Sequence, residues 1–143
     1  MTRRTARETA LQMLFQLTVG ENDWEMAELW QKESAEVNGE SDDNAMFIAA
    51  LVKGAFDQIC EDDKLIAAHA SGWDIDRLSE VDKAILRLAV FEMKSGVTPP
   101  PVVINEAVEL AKVFASDDSP AFINAVLDSI RKELNAAAEE QQQ

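Results

Sequence analysis

With 143 residues, five Gly, four Pro and no Tyr, the chain is long enough for one domain with a real core, or for two small subdomains sharing one, and is weighted towards helix formers, so an all-α fold is expected. Its formal net charge of −14 argues against indiscriminate affinity for nucleic acid. A single cysteine, Cys60, and a single histidine, His69, exclude an internal disulfide and a His/Cys metal cluster, so no metal or cofactor is expected and Cys60 reads as a buried, inert thiol. No apolar run is long enough to cross a bilayer and no signal core precedes the first charges, which implies a cytoplasmic protein.

In chain order, residues 3–19 carry a helical pattern with Ala6, Ala10, Met13, Leu14 and Leu17 on one face. Arg3, Arg4 and Arg7 stand at its N-terminus, against the helix dipole, which favours acids there by about 0.3–1 kcal/mol per charge. Arg4, Leu11 and Phe15 project along an edge away from the core, a cation and an aromatic on one strip of the kind that takes RNA phosphates and bases; a frayed, solvated terminus over a core Phe15 is the alternative. A short second helix is expected over 22–37, with Trp24, Ala27, Trp30 and Val37 inward, and Asn38-Gly39 ends it. Between residues 20 and 45 nine acids stand against Lys32 alone, a local net charge of −8.

After cap candidates from Ser41 to Asp43, the repeat Ala45, Ile48, Ala49, Val52, Ala55, Phe56, Ile59 predicts a docked third helix. The acids Glu61 to Asp63 predict the start of a fourth through Ala70, with Gly72 as its stop. His69 reads as a terminal cation or a surface residue. Trp73, Ile75 and Leu78 lead to Ser79-Glu80-Val81-Asp82, which has the form of a capping box. The helix behind it runs to about Lys94, with Val81, Ile85, Leu88, Ala89 and Met93 inward and Lys83, Arg87 and Lys94 as a basic strip. Ser95-Gly96 ends it, and Pro99-Pro100-Pro101 forms a stiff linker that can be helical only in a first turn.

The stretch from Val102 to Ile130 then reads as two helices joined by an acidic turn. In the first, only Asn105, Glu106, Glu109 and Lys112 are strongly polar, so this helix is expected at the centre of the bundle. Asp117-Asp118-Ser119-Pro120 starts the last helix, with Ser119 as N-cap and Pro120 first, and with Phe122, Ile123, Val126, Leu127 and Ile130 inward. Beyond Leu134 the apolar period is lost and fraying is expected, with 139–143 as a tail. No phosphate loop or nucleophile set is present, and Glu106 with Glu109, or Asp117 with Asp118, read as a solvated strip and a helix-start pair rather than as catalytic or metal-binding acids.

Three stretches, RRTARETALQMLF, LSEVDKAILRLAVFEM and VVINEAVELAKVFASDDSPAFINAVLDSI, in this order and spacing, resemble the NusB family of bacterial transcription antitermination factors. The resemblance implies about seven helices in one compact bundle of two helical subdomains, about 1–75 and 76–138. It also implies a non-enzymatic adapter that binds boxA RNA of ribosomal RNA leaders together with NusE, the ribosomal small-subunit protein in its transcription role, and helps RNA polymerase read through terminators. The residues that match the family's RNA-contacting positions are Arg3, Arg4, Arg7, Phe15, Asp82 and Asp118, with the turn at Asp117 and Asp118 expected near the first helix's arginines. Lys83 and Arg87 join them as candidates, Arg87 with an internal salt bridge as its alternative. A helical interaction module that pairs with a second copy of itself, without specific RNA binding, is the competing reading. An isolated copy of the NusB-like domain found fused to ribosomal RNA methyltransferases is disfavoured, because this length leaves no cofactor-binding domain.

Overall fold

The structure, a computed structural model, describes residues 2–20, 25, 42–70, 72 and 78–141. The expected helix over 22–37, the Asn38-Gly39 break, the Ser41 cap, the connection through Trp73 and Ile75, and the subdomain boundary near 75–76 lie outside the described residues. Among the described residues there are six helices and no strand: α1 (Arg3–Val19), α2 (Asp42–Asp57), α3 (Ile59–His69), α4 (Glu80–Ser95), α5 (Pro100–Phe114) and α6 (Ser119–Gln141). They form two compact units, Met1–Asp57 and Gln58–Gln143. No described helix is long and apolar enough to cross a membrane.

In the first unit α1 packs on α2. Thr2 caps α1 by accepting the Thr5 N–H, and Ala6, Ala10, Leu11, Met13, Leu14 and Leu17 are buried. Leu11 therefore belongs to the core and not to the edge, because α2 covers a wider arc of α1 than the apolar stripe alone marks out. On α2 the buried stripe is Ile48, Leu51, Val52 and Ala55, at i, i+3, i+4 and i+7. Ala45 and Ala49 are only half-buried, and Phe56, expected in the core, is 39% exposed. The inward face is centred between the 48–55 and 51–55 rows, which rotates Phe56 outwards. The helix also stops at Asp57 instead of continuing through Ile59. The chain turns at Gln58 and re-enters a helix there, the Asp62 N–H closing on the Gln58 carbonyl at 2.9 Å.

In the second unit α4 is central. Ten of its sixteen residues are buried, and it packs against α3, α5 and α6. The expectation that the Val102 helix holds this place is corrected. On α5 only Val103, Ile104, Ala107, Leu110 and Ala111 are buried, whereas Val102, Val113 and Phe114 are exposed. A wide apolar arc shows what a helix could bury; neighbours on two sides decide what it does bury. α4 starts on Ser79, whose Oγ accepts the Asp82 N–H at 3.0 Å, and ends on Gly96 in the left-handed region at φ 74°.

Two of the three prolines, Pro100 and Pro101, form the first turn of α5, where their missing N–H groups cost nothing. α6 begins at Ser119, one residue earlier than expected, since the Phe122 N–H reaches the Asp118 carbonyl at 3.4 Å. It does not stop at Leu134 but continues to Gln141, with residues 135–139 exposed. Ala, Glu and Gln are strong enough helix formers to extend a docked helix without packing. Cys60 is exposed, not buried. The inward stripe of α3 runs through Asp62, Ile66 and Ala70, and a residue two positions before it points away.

Candidate nucleic-acid interface

The first group of candidate residues lies on α1. Arg3, Arg7, Ala10 and Leu14 form one i, i+4, i+7, i+11 row, so the buried stripe of α1 runs up into two arginines. Arg7 is only 7% exposed, and its guanidinium lies 5.2 Å from the centre of the Phe47 ring on α2. One turn earlier, the Arg3 guanidinium lies 4.1 Å over the same ring. Arg3 Nη1 donates to Asn44 Oδ1 at 3.1 Å and Nη2 to Asp43 Oδ2 at 3.3 Å. The helix start is thus docked on α2, which removes the frayed-terminus alternative. Arg4 is exposed on the neighbouring row, and Phe15, on that same row, is half-buried.

The second group lies in the second unit. Asp82, in the first turn of α4, is buried, and its Oδ1 has no hydrogen-bond partner among the described residues. Lys83 pairs with Glu80 at 2.8 Å. Arg87 is gripped by Asp63 of α3, Nε to Oδ1 at 2.9 Å and Nη2 to Oδ2 at 2.8 Å. The Asp63 hydrogen bonds hold the Arg87 guanidinium above its ordinary pKa, against the opposing effect of burial. Asp118 and Asp117 are exposed in the turn between α5 and α6.

The third member of the expected basic strip, Lys94, also turns to α3. Its Nζ donates to Gln58 Oε1 at 2.8 Å and to Asp62 Oδ1 at 2.6 Å, with Glu61 Oε1 at 3.6 Å. Asp62 is fully buried, and its Oδ2 has no hydrogen-bond partner among the described residues. Burial is the main influence on this carboxyl and pushes its pKa up, although the Lys94 hydrogen bond works the other way. Residue types hinted at the Lys83, Arg87 and Lys94 strip but not at its partners. Asp62 and Asp63 read as helix-start acids, and nothing in their local pattern separates them from exposed Glu61.

Phe47, Asn44 and Asp43 were likewise missed. The available signal was the continuation of the α1 core row into Arg7 and Arg3, which calls for a partner able to accept cations. His69, at the end of α3, bonds through Nδ1 to Ser129 Oγ at 2.7 Å and through Nε2 to Glu133 Oε2 at 2.8 Å, both on α6. Ser129 and Glu133 are one turn apart, so the ring clasps two levels of one helix. Among the described residues no group of three His, Cys, Asp or Glu could hold a metal ion.

The NusB family model matches residues 4–132. The transcription antitermination protein NusB of Symbiobacterium thermophilum is 41% identical over 145 residues, covering 96% of this chain and 94% of its own. That of Bacillus pumilus is 42% identical over 135 residues, covering 94% and 98%. Among solved structures, T. maritima NusB superposes with a TM-score of 0.80 at 29% identity, over 93% of this chain and 92% of its own. A crystal structure of the antitermination factors NusB and NusE in complex with dsRNA matches with a TM-score of 0.76 at 33% identity, over 93% and 99%.

Proposed function

The chain belongs to the NusB family, and on that premise we propose that it is a transcription antitermination factor that binds boxA-containing single-stranded RNA of ribosomal RNA leaders together with NusE. In this role it serves the RNA polymerase antitermination complex as a cytoplasmic adapter and not as an enzyme. The observation that carries the reading is the match along nearly the whole chain, joined to the likeness to a NusB held with NusE and RNA. The His69, Ser129 and Glu133 line fits a structural clasp better than a nucleophile site. Ser129 lies within a continuous helix, where the nearby N–H groups are taken up by helical hydrogen bonds and cannot stabilise an oxyanion.

We assign the RNA contacts to Arg3, Arg4, Arg7 and Phe15 on the first unit and to Asp82, Lys83 and Asp118 on the second; Arg87, whose fork is taken by Asp63, fills its alternative role of internal salt bridge. Support comes from their chemistry. Arginines supply charge-assisted, forked bonds to phosphate, an aromatic supplies a stacking face, and carboxylates accept from base amino groups or ribose hydroxyls. In a chain of net charge −14 affinity must come from local cations, which makes NusE the natural source of additional contact.

The test is a titration of boxA RNA and a scrambled strand, each with and without NusE. Preference for boxA, strengthened by NusE and weakened by Arg7→Ala, is expected. If three or four phosphates are contacted, log affinity should fall with log salt at a slope of about −2 to −3. Equal affinity for the two strands with NusE present would rule the reading out.

A further inference from the structure

The geometry points to Asp43 as an internal competitor for the RNA phosphate at Arg3, with Asn44 and Phe47 holding the guanidinium in place while the competitor exchanges; this rests on the RNA-binding role assigned to Arg3 above. Three groups of α2 meet one guanidinium, and they differ in kind. Asn44 is buried, neutral and bonded to Nη1 at 3.1 Å. Phe47 presents its ring face at 4.1 Å and carries the Arg7 guanidinium as well. Both contacts are compatible with a bound anion, because neither neutralises the charge.

Asp43 is different. Its carboxylate takes Nη2 at 3.3 Å while 86% exposed, and the Arg3 side chain is itself 44% exposed. A carboxylate oxygen and a phosphate oxygen offer the same thing to Nη2, a negatively charged acceptor. An ion pair as exposed as this one contributes little, so an incoming phosphate can replace it without disturbing the α1–α2 packing. Asp43 is also the last of the nine acids between residues 20 and 45, so this acid-rich stretch ends at a carboxylate bonded to the cation that RNA would use. Asp43 thereby lowers affinity for any strand that places a phosphate at Arg3.

The experiment is a titration of a boxA RNA oligonucleotide in the presence of NusE with the full chain and four variants: Asp43→Asn, Arg3→Ala, the double variant, and Asp57→Asn as control. Asp57 is exposed at the far end of the same helix, about 20 Å along its axis, and its substitution changes net charge equally. Asp43→Asn should tighten binding about 1.5- to 5-fold, the range expected for an exposed ion pair, and the gain should shrink as salt is raised. Asp57→Asn should give less, and the Asp43→Asn gain should vanish in the Arg3→Ala background.

If Arg3→Ala weakens binding but Asp43→Asn has no effect, or its gain persists without Arg3, the competition is overturned and the RNA role of Arg3 stands. If Arg3→Ala leaves affinity unchanged, both are overturned. Unchanged far-ultraviolet circular dichroism and melting of Asp43→Asn, expected for so exposed a residue, confine the readout to binding.

Discussion

Arg87 Nε and Nη2 meet the two carboxylate oxygens of Asp63 at 2.9 and 2.8 Å, so a guanidinium from α4 and a carboxylate from α3 form a two-pronged, half-buried bridge. Removing Asp63 would strand a cation that is only 10% exposed in its side chain. Asp63→Ala should lower stability by about 1.5–3 kcal/mol, the range for hydrogen bonds to charged groups, as read by urea unfolding. Arg87→Lys should recover little of an Arg87→Ala loss, since an ammonium cannot reproduce the planar fork. Full recovery by lysine would mean that charge alone matters there.

The Asp62 and Lys94 pair predicts a pH dependence. Burial raises the folded-state pKa of Asp62 above the unfolded value of 3.8, so the folded protein favours the protonated carboxyl. That stabilising contribution is complete below the unfolded value and is lost as pH climbs through the raised folded value. Asp62→Asn cannot titrate. Its melting temperature relative to the parent should therefore rise as pH climbs from the unfolded value of 3.8 through the raised folded value, whatever the offset from altered bonding to Lys94. A difference that stays flat over this window would count against a raised pKa.

His69 predicts a tautomer. Ionised Glu133 can only accept, so Nε2 must carry the proton and, in the neutral ring, Nδ1 accepts from the Ser129 hydroxyl. Nitrogen-15 shifts of the imidazole should report the Nε2–H form, and Ser129→Ala should cost about 1 kcal/mol. Finding the Nδ1–H form in solution would break the clasp as described.

The two ends of α4 can be weighed against each other. Ser79→Ala removes the side chain that accepts the Asp82 N–H and should cost about 1 kcal/mol. Gly96→Ala meets no atom within 4 Å, so its cost, also about 1 kcal/mol, would come from the left-handed backbone alone. Asparagine at 96, which tolerates that region better, should lose less than alanine in the same thermal unfolding assay.

The residues that proved legible in advance are those whose role is decided within a turn or two of chain. Ser79 as a cap, Gly96 as a stop and the inward rows of α1 and α6 follow from local backbone and side-chain chemistry, whereas the helix expected to restart after the three prolines already includes Pro100 and Pro101. The all-helical class and the family follow from composition and from stretches that can be read directly. Where the prediction failed, the deciding partner was distant. Asp62 is buried beside Lys94, which lies 32 residues away in sequence and next to it in space, while Glu61, one residue earlier, faces solvent. Arg3 and Arg7 are held rather than frayed because Phe47 and Asn44 arrive from another helix, 41 residues on in the case of Arg3 and Asn44.

The same division separates α4 from α5. By itself the sequence determined that both helices form, where α4 is capped, and how wide an apolar arc each one offers. Only the tertiary structure decided that α4 is covered by three neighbours while Val102, Val113 and Phe114 of α5 stay exposed. The physical reason is range. Helix formation is governed by interactions three or four residues apart, whereas burial and ion pairing depend on which surface a distant element brings to the same place.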